Sequence, residues 1–145
     1  MSRRKLDGLR ALVTGASSGI GRAIALEFAQ NGVDLVLLAR REKPLETLVA
    51  EGEKLGRRVV AIVGDVTDAT IRQQALNAAQ EQLGGPELLV NNAGVSAFGR
   101  FADSQPELMR RIMEVNFFAA VDLTREAIPL LRQGRTPMVV NISSV

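Results

Sequence analysis

The chain contains no cysteine, histidine, tyrosine or tryptophan among its 145 residues. Without cysteine there is no disulfide, no thiolate nucleophile and no sulfur-ligated zinc; without histidine there is no Ser-His-Asp triad and no imidazole metal ligand. Most hydrolase mechanisms are thereby excluded. The missing phenol removes one of the side chains that, when activated, exchanges a proton near neutral pH. Excess charge is lacking too, with 18 Lys and Arg against 16 Asp and Glu for a net +2. Basic residues are scattered apart from small clusters such as Arg3, Arg4 and Lys5, and the only aromatics are five phenylalanines. A nucleic-acid surface would need a basic stripe, interleaved with aromatics for single strands. The opening "MSRRKLDGLR" is basic, yet no apolar segment with a small-residue cleavage site follows it. No apolar run approaches the roughly 18 residues of a membrane helix. The expectation is a soluble, cytoplasmic protein without a nucleic-acid partner or a membrane span.

What is present points to one folded domain over residues 1–145. The 46% hydrophobic and 23% charged content is ordinary for a globular chain of this size. Periodicity alternates regularly. "LRALVTG" reads as a strand, and "GIGRAIALEFAQNG" as a helix stopped at Gly32. "VDLVLLAR" is a second strand, followed by a helix closed by Gly56, then "RRVVAIVGDV", whose apolar run suits burial on both faces. "DATIRQQALNAAQEQLGG" reads as a helix and "ELLVNNAG" as a fourth strand. One long helical stretch from about Pro106 to Arg132 precedes "TPMVVNIS", the fifth strand. Five strands joined by helical crossovers predict an open, doubly wound α/β domain with a parallel sheet. Ligands bind such sheets at the carboxyl ends of the strands.

The candidate residues all lie at those ends or beside them. In "TGASSGIG", Thr14 to Gly21, Gly15 permits a tight turn out of the strand. Gly19 admits a phosphate to the backbone, and Gly21 allows close packing of helix on sheet. The helix amides that follow form an anion site. An ordinary Gly-Ser loop is the alternative, and the absence of Gly-Lys-Ser or Gly-Lys-Thr rules out a P-loop. Asp65 follows the third strand, with Asp68 better placed to cap the next helix. Asn92, Ala93 and Gly94 follow the fourth strand and could equally form a plain polar turn. Asn116 stands in "EVNFFAAV" between apolar neighbours. Inside a helix it would be buried and need its amide satisfied, or else face solvent.

The spacing T-G-x-x-x-G-x-G, with "GDV", "NNAG" and "NISS" at the successive strand ends, resembles the short-chain dehydrogenase/reductase family from about Leu9 to Val145. The resemblance implies a Rossmann-type sheet in the order 3-2-1-4-5, binding NAD or NADP, with carboxyl-terminal strands missing. It implies that Gly15, Ser17, Ser18, Gly19, Ile20 and Gly21 hold the cofactor. Asp65 would bond the adenine amine, Val66 would contact the ring through its backbone, and Asn92, Ala93 and Gly94 would line the ribose side. It further implies that Asn116 bonds main chain and holds a water in a proton relay, and that Ser144 polarises the oxygen of an alcohol or carbonyl substrate. No metal is implied. The complete enzymes are expected to be homo-oligomers in which the long helix packs on its copy.

An NAD-specific site places an acid at the end of the second strand, where this chain has Ala39, Arg40 and Arg41. A guanidinium there suits a 2′-phosphate. NADP is therefore expected over NAD, with Arg40 as the main contact and Ser17 assisting; a solvated arginine pair opening a helix is the alternative. The family's catalytic Tyr and the Lys one turn beyond it would follow Ser144, and neither is present. The chain is expected to be the amino-terminal part of a longer oxidoreductase and inactive by itself. The competing readings are a dinucleotide-binding module without catalysis and a structural domain that binds no nucleotide.

Overall fold

Short runs of branched apolar residues, each bounded by glycine or polar turns, become the five strands of the computed structural model, which describes residues 5–143. The strands are β1 (Arg10–Thr14), β2 (Asp34–Ala39), β3 (Val59–Val63), β4 (Leu88–Asn91) and β5 (Met138–Asn141). The helices are α1 (Gly19–Gln30), α2 (Glu42–Lys54), α3 (Ala69–Leu83), α4 (Pro106–Met113) and α5 (Ala119–Leu131). The sheet runs β3-β2-β1-β4-β5 and every pairing is parallel. This is the Rossmann-type order expected from the sequence. The order reverses between β1 and β4, which opens a crevice beyond their carboxyl ends.

Period-two alternation sorts the sheet's side chains into two cores. Leu12, Val36, Leu38 and Leu89 pack with α3 and α5 through Leu76 and Leu123. Val13, Leu35, Leu37 and Val90 pack on the other face with Leu45 and Leu48 of α2 and Ala25 of α1. Each fully buried leucine contributes about 1.5–3 kcal/mol relative to an exposed one. Both faces of β1, β2 and β4 are therefore committed to packing, and their ends are rigid platforms.

Two expectations change. The apolar run of β3 does not reflect burial on both faces, because β3 is an edge strand in which Val60 to Ile62 are only half-buried and Val63 is exposed. Apolar content alone did not distinguish an edge strand from a central one. The long helical stretch is continuous as expected, but α4 and α5 are joined by a π-helical turn, Glu114–Phe118. The extra residue in that turn shifts the helix phase, and Asn116 is exposed, the solvent-facing one of the two alternatives.

Candidate functional site

Three loops leaving β1, β2 and β3 and one leaving β4 converge on a cleft of about 510 Å³. The first wall is the turn from Gly15 to Ile20. Gly15 has φ +66°, and a Cβ on it would lie 2.8 Å from Ala93 Cα, so only glycine lets the β1 and β4 loops meet. Gly19, at φ +54°, faces open space, with nothing within 4 Å of where its Cβ would be. Ser18 makes no side-chain cap bond and the first turn of α1 carries no acid. The first amides of α1 thus lack both an intrahelical partner and a competing carboxylate, which leaves a cradle suited to an anionic diphosphate. Gly21 does not line the cleft. A Cβ there would collide with Asn92 Nδ2 and the Gly15 carbonyl, so Gly21 packs α1 against the two loops rather than against the sheet.

Thr14, which sequence reasoning passed over, joins those loops. Its Oγ1 accepts from the backbone N–H groups of Asn92 and Ala93, each at 3.0 Å. Asn92 returns the connection, its Nδ2 donating to the carbonyls of Thr14 at 3.1 Å and Gly15 at 3.3 Å. The Asn92 side chain therefore ties the β1 and β4 loops together, while Ala93 and Gly94 line the cleft. Thr14 opens the T-G-x-x-x-G-x-G spacing at the end of β1, but nothing local in the sequence gave its hydroxyl a role.

The second wall is Arg40 and Arg41, both exposed, at the end of β2. Arg41 donates from Nε and Nη2 to Ser17 Oγ, each at 3.3 Å, which sets a guanidinium beside a hydroxyl over the α1 turn. The third wall is Asp65 and Val66. Asp68 caps α3 by accepting from Thr70 N at 2.7 Å, which leaves Asp65 free of that task. Asp65 Oδ1 accepts from Thr67 N–H at 3.0 Å and from its hydroxyl at 2.8 Å, and Oδ2 accepts from Arg111 Nη2 at 2.5 Å. Burial alone would raise the Asp65 pKa, but the Thr67 bonds and the Arg111 charge together hold it below the ordinary carboxylate value. Arg111 is a second residue that sequence reasoning missed. It comes from α4 and no local pattern marks it.

A second groove of about 540 Å³ adjoins the first and shares Val66, Ala93 and Val115 with it. Asn116, Asn141 and Ser143 lie along it. Asn116 Nδ2 donates to Val95 O at 2.9 Å and its Oδ1 accepts from Val95 N–H at 2.8 Å, a reciprocal pair that fixes the chain leaving β4. Asn91, buried between β4, β5 and α5, donates to Thr124 Oγ1 and Asn141 Oδ1, each at 2.9 Å. Ser144, the residue expected to polarise a substrate oxygen, lies outside the described residues. No helix among the described residues is long and apolar enough to cross a membrane.

Comparison with known proteins identifies the family and the fold. The sequence model of one family, short chain dehydrogenase, matches residues 10–145. The chain is 38% identical over 142 residues to L-rhamnose 1-dehydrogenase (NAD(P)(+)) of a Sphingomonas species, covering 97% of this chain and 56% of that protein. It is 36% identical over 145 residues to 3-dehydrosphinganine reductase of Danio rerio, covering 97% of this chain and 44% of that one. Among solved structures, L-sorbose reductase from Gluconobacter frateurii, in complex with NADPH and L-sorbose, superposes with a TM-score of 0.89 at 32% identity. That match covers 96% of this chain and 53% of the reductase. The chain spans about half the length of the relatives it matches.

Proposed function

Because the chain belongs to the short chain dehydrogenase family, we propose that its main cleft holds NADP in preference to NAD, as part of an oxidoreductase acting between an alcohol and a ketone. The observation that carries the reading is the pairing of an acid-free helix start at Gly19 with two guanidinium groups, Arg40 and Arg41, across one cleft. Bound there, a nicotinamide cofactor supplies or accepts the hydride. The protein's own groups do the holding. Backbone amides of Ser18, Gly19 and Ile20 take the diphosphate, while Arg40, with Arg41 on Ser17, takes the 2′-phosphate in charge-assisted hydrogen bonds. Asp65 and Val66 take the adenine edge, and Asn92, Ala93 and Gly94 flank the sugar.

The same proposal assigns Asn116 to a water in the proton path, beside the main chain it already fixes at Val95, and Ser144 to the substrate oxygen. Neither side chain is an adequate proton donor at neutral pH, and the 145 residues contain no tyrosine. A protein of these residues binds the cofactor without measurable turnover. The cofactor preference is tested by titrating the protein and its Arg40→Ala, Arg41→Ala and doubly substituted variants with NADP and NAD. The double variant is expected to lower the NADP-to-NAD affinity ratio by at least about tenfold, the weight of a charge-assisted bond. An unchanged ratio would remove the assignment.

A further inference from the structure

We infer that Arg111 is a positioning residue for recognition of adenine, an inference that rests on the dinucleotide reading above. Arg111, Thr67 and Asp65 form a closed ring of hydrogen bonds. Arg111 Nη2 donates to Asp65 Oδ2 at 2.5 Å, Arg111 Nη1 donates to Thr67 Oγ1 at 3.3 Å, and Thr67 Oγ1 donates to Asp65 Oδ1 at 2.8 Å. The Thr67 N–H adds a second bond to Oδ1 at 3.0 Å. An ionised carboxylate offers about four acceptor sites on its two oxygens. The ring and the backbone N–H take three of these, so one site on Oδ2 is left for a donor arriving in the cleft that Asp65 and Arg111 both line. Adenine presents an amine donor at its 6-position, whereas hypoxanthine presents an oxygen there.

A surface ion pair alone would contribute little, and the side chains of Arg111 and Asp65 are 41% and 31% exposed. The ring's effect is orientation. The backbone of this loop is held separately, because Arg72 Nη1 donates to the carbonyls of Val66 and Thr67, each at 3.1 Å. Removing Arg111 therefore takes away the partner that orients Oδ2, the oxygen with the site left for adenine, while Oδ1 stays bonded to Thr67 and the loop stays in place. The consequence is specific: base discrimination is lost, while the contacts to phosphate and sugar are retained.

The test measures affinity for NADP and for its hypoxanthine analogue by saturation-transfer NMR in the protein and in Arg111→Leu, Thr67→Val and Arg110→Ala variants. Arg110 pairs with Glu107 on the exposed side of α4, its one ion pair among the described residues, and serves as the control. The unsubstituted protein and the control should prefer the adenine form by about tenfold or more. Arg111→Leu and Thr67→Val should bring the two affinities within about threefold of each other. If circular dichroism shows that Arg111→Leu is unfolded, Thr67→Val alone decides. An unsubstituted protein that binds both forms equally, or folded ring variants that keep the full preference, would overturn the inference while leaving the dinucleotide reading standing. Failure of the unsubstituted protein to bind either form would overturn both.

Discussion

Gly19 and Gly21 stand two residues apart in one turn of α1, yet their missing side chains serve different ends. A methyl on Gly21 meets Asn92 Nδ2 and the Gly15 carbonyl, so Gly21→Ala forces the two loops apart, and overpacking of this kind costs about 1–3 kcal/mol. A methyl on Gly19 meets no protein atom. Its cost to the folded state is only the left-handed backbone, about 1–2 kcal/mol, while the methyl projects into the cradle proposed for the diphosphate. Thermal unfolding with and without NADP separates the two. Gly21→Ala should be the less stable variant without ligand, and Gly19→Ala should lose more of the stabilisation that NADP adds. Equal behaviour in both conditions would contradict the assignment. These glycines were legible in the sequence because conformational need and residue type coincide. Thr14 and Arg111 were not, since their partners lie 78 and 46 residues away and only the fold brings them together.

Among the elements, α3 and α5 meet through a buried charge that no sequence pattern announced. Arg72 is 5% exposed and its guanidinium bonds Glu126 of α5 at 3.0 Å as well as the two loop carbonyls. Its pKa is raised, first by the Glu126 hydrogen bond and against the opposing effect of burial, so it stays charged. This arginine links the loop bearing Asp65 and Val66 to the helix that walls the second groove. Arg72→Met leaves two carbonyls and a half-buried carboxylate without their donor. It should cost about 1–3 kcal/mol in urea unfolding, the usual penalty for stranding such groups. A midpoint within error of the parent would refute the clamp. Element order was readable from alternating periodicities. The half-exposure of β3 and the π turn in the long helix were not, because apolar content is similar in edge and central strands and one inserted residue leaves the helical period almost intact.

For the whole molecule, the sheet order and the crevice followed from four motifs at four strand ends, while the exposed apolar surface is a property of the assembled fold. Phe117, Phe118, Val121 and Ile128 along α5 and its preceding turn, with Met138 and Val139 on β5, remain accessible. Among the described residues β5 pairs with β4 alone and stands at the edge of the sheet. We propose that copies of the chain associate through this side, and sedimentation velocity should show dimers or larger species growing with concentration. A single monomeric species over a hundredfold concentration range would exclude that. The account stands most directly on where a dinucleotide sits. Backbone amide NMR of the protein titrated with NADP is predicted to perturb the segments Gly15–Gly21, Arg40–Arg41, Asp65–Val66 and Asn92–Gly94 together, with one saturation curve; perturbations confined to the α5 groove, or none at saturating NADP, would contradict it.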